Sequence, residues 1–349
     1  MVQDASCKGI QDILNPTSKG RCINTIRACV RVTNLSELFQ IDNPLERRQE
    51  IIEYIEQNSN EFEKVMNRAF EEKNELRNTI LDLIDQLSST LAIKVIKQAI
   101  SDSDSRIKVR GLQAAYRTMV DTLNDDVFSI LSDTNEPFEA RKWALHILGS
   151  TDPDYYSQQI VKIARNSGED ISLRKEAIYA LTKIVNDKTL GTICTLLGDS
   201  NVEIRQSGAW ALSNVGSPDS ISCLLAALDD EDELVRDWAI RGLRDMDDSR
   251  ALQGLADAIR IASPAEQVRM IRLVIEKRSE VILRTVVELL ASSDIGVRKT
   301  AAWAMGVSPY PPAVPSLKEL LDDSDDEVRN YARIALIRSG GLDPSDLKL

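Results

Sequence analysis

The sequence predicts an all-α chain wound as an α-α superhelix, a solenoid of about nine to ten helix pairs. Three observations predict it. One short helical frame recurs along most of the chain, its copies are almost evenly spaced, and no segment sustains the polar and apolar alternation of a strand.

The frame is clearest in NVEIRQSGAWALSNVG, residues 201–216. With Arg205 as zero, an apolar residue stands at −1, small residues at +3 and +6, and an apolar residue at +7. At about 3.6 residues per turn these positions share one side of a helix, a narrow stripe that a neighbour can approach closely. Val235 and Arg236 repeat it with Ala239, Gly242 and Leu243, and Leu173 and Arg174 with Ala177, Ala180 and Leu181. Val297 and Arg298 repeat it with Ala301, Ala304 and Met305, and Val328 and Arg329 with Ala332, Ala335 and Leu336. Looser copies centre on Arg141, Lys108 and Arg77, while Val268 and Arg269 keep the frame but put Arg272 where a small residue belongs. The basic residues at 77, 108, 141, 174, 205, 236, 269, 298 and 329 are separated by 31, 33, 33, 31, 31, 33, 29 and 31 residues. A period in this range marks a stack of helix pairs, each covering the core of the next.

In chain order, residues 1 to about 45 lack the frame but show two short helical patterns, 21–32 and 35–40. Asn43 and Pro44 break the chain before ERRQEIIEYIEQ, a degenerate copy with Arg48 at zero. Terminal units must cover an exposed core and so diverge, which makes 1–57 a helical cap, 58–338 the solenoid and 339–349 a tail. Each internal unit has a first helix, such as VFSIL (127–131), TICTLL (192–197) or VVELL (286–290), then an acidic linker, then the frame. Linkers such as GDSN, DDED and DDSDDE place Asp and Ser where they accept from the free N–H groups of the next helix and oppose its dipole. The segment SPYPPAVPS (308–316), with four prolines, is expected to be a rigid extended loop.

A chain of 349 residues with 43% hydrophobic and 28% charged residues has a globular balance with no disorder signature, and the repeats make it one elongated domain. No run of 18 apolar residues occurs, so no membrane span is expected. The first 30 residues lack the apolar core of a secretory signal, and the expected location is cytoplasmic. A net charge of −12 argues against a nucleic-acid partner, because phosphate backbones are held by Lys and Arg. Five cysteines, Cys7, Cys22, Cys29, Cys194 and Cys223, form no CxxC pair and are odd in number, which suits thiols in a reducing compartment.

Helix pairs of about 31 residues with V-R-x-x-A-x-x-A-L-G on the second helix resemble the short HEAT-like repeats named after phycobilisome lyases. AWALSNVG (209–216) and AWAMGVS (302–308) carry the likeness, which extends over about 70–338. The resemblance implies a helical solenoid and a structural ladder in which the repeated Arg bonds an acidic residue of a neighbouring turn. It also implies that the second helices line a concave, partner-binding side. Function is not implied, since this scaffold serves partner binding, chromophore attachment, metal-dependent hydroxylation and DNA repair.

Off the apolar stripe, +5 is nearly opposite and +2 is on the flank. All four tryptophans fall there: Trp143 and Trp238 at +2, Trp210 and Trp303 at +5. Tyr179 and His146 also stand at +5 and Tyr331 at +2. Large aromatics off the core stripe anchor protein interfaces, although each could instead pack on the adjacent repeat. The leading expectation is a non-enzymatic scaffold or adaptor binding a protein partner, with a basic or mixed apolar face, through these aromatics. A chromophore-handling protein or chaperone for a phycobiliprotein is the alternative, and a HEAT-like DNA repair protein a further one. No cofactor or metal is expected: the chain has one histidine, His146, and the calcium-like runs DSDSR (102–106) and DDSDDE (322–327) read better as helix caps. The paired His-Glu motifs of the hydroxylases do not occur, nor do phosphate-loop or nucleophile-elbow motifs.

Overall fold

The computed structural model describes residues 38, 41–58 and 74–343. The expected helical patterns at 21–32 and 35–40 lie, apart from Leu38, outside those residues, as does the tail beyond 343. The described chain is all-helical and divides into two compact units, the first ending at Ser129 and the second beginning at Ile130.

In the first unit α1 spans Pro44–Gln57, α2 Asn74–Asp82, α3 Ser89–Ile100 and α4 Ser105–Thr118. Helix α1 is the degenerate copy: Asn43 Oδ1 accepts from Leu45 N at 3.0 Å, Pro44 opens the first turn, and Ile51 and Ile55 are fully buried. Helices α3 and α4 pack so closely that a Cβ on Gly111 would stand 2.7 Å from Ala99 Cβ and 3.0 Å from Ile100 N. Only glycine fits there without moving backbone. Helix α5, Asn124–Ser132, contains the division between the units.

In the second unit the helices fall into two rows. The second helices of the pairs are α6 (Phe138–Thr151), α8 (Ile171–Leu181), α10 (Val202–Val215), α12 (Glu233–Asp245), α14 (Pro264–Val274), α16 (Ile295–Val307) and α18 (Asp326–Arg338). The first helices between them are α7 (Pro153–Arg165), α9 (Asp187–Leu196), α11 (Ile221–Ala226), α13 (Ser249–Ile261), α15 (Glu280–Glu288) and α17 (Val314–Glu319). Every second helix touches the next in its row, and the first helices, with the 3-10 turns that flank them, form the other row. The core lies between the rows.

The small residues at +3 and +6 are buried as the frame requires, among them Ala177, Ala211, Ala301 and Ala335. The stripe is wider than the frame suggests: Ala209, Ile240 and Ala302 at +4 are also buried. Linker side chains cap the second helices: Asn201 accepts from Glu203 N at 2.9 Å, Asp232 from Val235 N at 3.1 Å and Asp294 from Val297 N at 3.0 Å. Gly216, at φ 61°, ends α10 in a left-handed turn.

Three expectations are corrected. In the copy read on Arg269, the cap residue is Ser263, and the residue at the same distance from it as Arg205 is from Asn201 is Gln267. Gln267 is 8% exposed and its Nε2 donates to Ile259 O at 3.0 Å and Arg260 O at 3.3 Å, holding the end of the preceding first helix as the arginines do. With 267 as zero, the units from 174 to 329 repeat every 31 residues and Arg272 moves to +5. Secondly, residues 311–319 are not extended: Pro311–Ala313 is a 3-10 turn and Val314–Glu319 an α-helix with Pro315 in its first turn. A first-turn proline loses no intrahelical bond, so proline content alone does not exclude a helix there. Finally, Cys194 on α9 and Cys223 on α11 are joined in a disulfide, with Cα atoms 5.6 Å apart and a sequence separation of 29. A separation close to the period sets them at one level on adjacent first helices, which the linear cysteine pattern does not reveal.

Candidate functional site

The two faces of the second-helix row do different work. At position zero an arginine ladder joins successive units. Arg141 donates from Nη1 and Nη2 to the two carboxylate oxygens of Glu169, both at 2.8 Å, and from Nε to Leu131 O at 3.0 Å. Arg174 pairs with Asp199, Arg205 with Asp230 at 2.9 Å and Glu231 at 2.8 Å, and Arg298 with Asp323 at 2.7 Å. Arg205 Nη1 also reaches its own linker at Asp199 O, 3.1 Å away, and Arg298 Nη1 reaches Ser292 O at 2.8 Å. Each guanidinium therefore ties its own linker to the next one. Where the next linker lacks an Asp at the usual place, Arg236 takes Glu266 instead, at 2.8 Å. Asp102 of the calcium-like DSDSR run pairs with Arg77 at 3.0 Å and accepts from Asp104 N, so its oxygens serve ladder and cap.

These bonds hold the carboxylates below their ordinary titration range. The Arg141 hydrogen bonds do so at Glu169 and those of Arg298 at Asp323; at Asp199 burial pushes upward, but the Arg174 bond and the Asn201 amide outweigh it. A carboxyl lowered in the folded state adds stability that is complete above its unfolded pKa and is lost as pH falls through the folded value. The urea midpoint is therefore expected to hold from pH 7 to about 5 and to fall below about 4. In Arg298→Ala that fall should be shallower, because Asp323 loses its partner; identical pH profiles would refute the linkage.

The outward side carries the predicted aromatics. Trp143, His146, Tyr179 and Trp210 form one continuous file over α6, α8 and α10. Trp143 and His146 meet edge to face at 6.1 Å between centroids, His146 and Tyr179 at 6.0 Å, and Tyr179 stacks on Trp210 at 5.8 Å. His146 Nε2 lies 3.1 Å from Glu176 Oε2. Tyr179 is 40% exposed and the other three are half-buried, so the rings of His146, Tyr179 and Trp210 meet across units and the file also faces out. Trp238 stands apart, under the Arg241 guanidinium at 5.7 Å, and Trp303 and Tyr331 share a groove on α16 and α18.

With the corrected register, position +5 reads His146, Tyr179, Trp210, Arg241, Arg272, Trp303 and Ile334 along the row. The aromatic file is thus followed by two arginines, both exposed. Sequence reasoning misplaced Arg272 because the frame at Arg269 was out by two residues, and passed over Arg241, at +5 of the Arg236 copy, because only aromatics were sought there. The signal that places Arg272 is its distance from the N-cap Ser263.

Three overlapping stretches, residues 157–244, 192–266 and 252–337, match the family described as HEAT repeats. Among solved structures, yeast importin-beta (Kap95p) bound to RanGDP superposes with a TM-score of 0.54 at 12% identity, covering 87% of this chain and 50% of that one. The Kap95:Nup1 complex gives 0.54 at 13% identity, covering 90% and 52%. YibA of Escherichia coli is 17% identical over 75% of this chain and 97% of its own, with a TM-score of 0.44. At these identities the likeness is one of fold, and this chain spans about half the length of the importin. Comparison with curated proteins finds no match. No described helix is long and apolar enough to cross a membrane.

Proposed function

This chain belongs to the HEAT repeat family, and on that premise we propose that it is a non-enzymatic scaffold or adaptor that binds a protein partner along the outward face of its second helices. The observation that carries this reading is the half-exposed file Trp143, His146, Tyr179 and Trp210. Four aromatic rings already packed in a file over three successive second helices lose little side-chain freedom on binding and offer a broad apolar surface. Kap95p, of the same fold, is described in complexes with proteins. The charges on this face favour an acidic, apolar partner segment over the basic one that the net charge of −12 suggests: Arg241 and Arg272 are exposed, while nearby Glu176, Asp237 and Glu327 already face His146, Arg269 and Lys299. Membership of the phycobilisome-lyase branch of short repeats is supported by the uniform 31-residue spacing from 174 to 329.

Changing Trp210 and Trp303 together to Ala is expected to abolish capture of the partner from native lysate. Two interface anchors at about 2 kcal/mol each amount to a loss of several hundredfold or more. The melting midpoint should move little. A lower midpoint with capture intact would show that the rings serve the stack.

A further inference from the structure

The groove at the far end of this face has a composition unlike the aromatic file. Arg272 from α14, Lys299, Thr300 and Trp303 from α16, and Tyr331 from α18 line a space of about 360 Å³. Arg272 is exposed and, among the described residues, makes no ion pair or hydrogen bond. Lys299 is committed: its Nζ lies 2.7 Å from Glu327 Oε2. Thr300 is 3% exposed and its hydroxyl has no hydrogen-bond partner among the described residues, although the side chain lines the groove. The hydroxyl is not sealed from water, so a ligand oxygen would replace a solvent contact there. Trp303 and Tyr331 are half-buried and supply apolar walls.

We propose that this groove is the specificity subsite of the second-helix face, and that it takes one Asp or Glu side chain of an extended partner segment together with an adjacent apolar residue. The inference rests on reading that face as a protein-binding surface. The partner carboxylate accepts from the Arg272 guanidinium, which is shaped for bidentate contact, and from the Thr300 hydroxyl. The neighbouring apolar side chain lies against Trp303 and Tyr331. One uncompensated cation suits one negative charge. A phosphate would bring nearly two, beside the Glu327 carboxylate, with only Arg272 free to answer them. The subsite thus selects an acidic segment although the whole chain has a net charge of −12.

The test is selection of random displayed peptides on the full-length protein, followed by anisotropy titration of the peptides recovered. Enriched peptides should carry Asp or Glu beside an apolar residue. Arg272→Ala should weaken them about tenfold or more and Thr300→Val severalfold. Arg272→Glu should recover binding when the peptide carboxylate is replaced by Lys. Enrichment of basic peptides, failure to recover any binder, or tighter binding when phosphoserine replaces the acidic residue would each overturn the subsite. Acidic peptides that are weakened by Trp210→Ala but indifferent to Arg272→Ala would overturn it while leaving the face as a binding surface. Peptides indifferent to both changes would remove both readings.

Discussion

Changing Arg205 to Ala is expected to lower the free energy of unfolding by about 3–5 kcal/mol, the usual cost of removing one partner from a buried ion pair. Arg205 and Asp230 side chains are only 9% and 10% exposed, so the carboxylate left behind has little water to replace its partner. The same change releases the Asp199 carbonyl and the bond to Glu231, loosening two linkers at once. Arg205→Lys should lose nearly as much, because an ammonium cannot span the positions that the guanidinium fork reaches. A double change, Arg205→Met with Asp230→Leu, should recover part of the loss by removing the orphaned charge. Urea titration followed by circular dichroism reads all three variants. A loss below about 1 kcal/mol in Arg205→Ala would place the pair with solvent-screened surface bridges. Since neighbouring units stabilise one another, the loss is also expected to broaden or split the transition, as repeat arrays do when one interface fails.

Removing the disulfide is the second large effect. Replacing Cys194 and Cys223 by Ser should destabilise the oxidised protein by roughly 3–4 kcal/mol, the loop-closure contribution for a cross-link spanning 29 residues. A reducing agent should lower the wild-type midpoint by a similar amount and leave the double variant unchanged. In the wild type neither cysteine should be alkylated until reductant is added; labelling of either in the folded, unreduced protein would refute the pairing. Disulfides persist in oxidising compartments, so this pair is at odds with the thiols in a reducing compartment that the cysteine count and spacing suggested.

The sequence by itself determined the helical class, the alternation of first and second helices and the capped linkers, and its resemblance to short HEAT-like repeats implied the arginine ladder. These features depend on periodicity and on groups a few residues apart, such as Asn201 with the amides of Glu203 and Ile204. The ladder that the resemblance implied has a simple physical basis, since a near-constant period brings each Arg opposite the next acidic linker. The candidate aromatics were legible as positions on a helix, but their mutual contacts were not.

Only the tertiary structure decided what depends on the neighbour across the row. It showed that Gln267 can stand in for an arginine because a nearby first-helix carbonyl end, at Ile259, needs a donor and any long side chain can supply one. It joined Cys194 to Cys223 because adjacent first helices bring distant residues to one level. It stacked Tyr179 on Trp210 and left Arg272 without a counter-ion among the described residues, since pairing is a matter of what the next unit presents. A local pattern encodes which face a residue occupies; the packing of one unit on the next decides whether that face is satisfied or open to a partner.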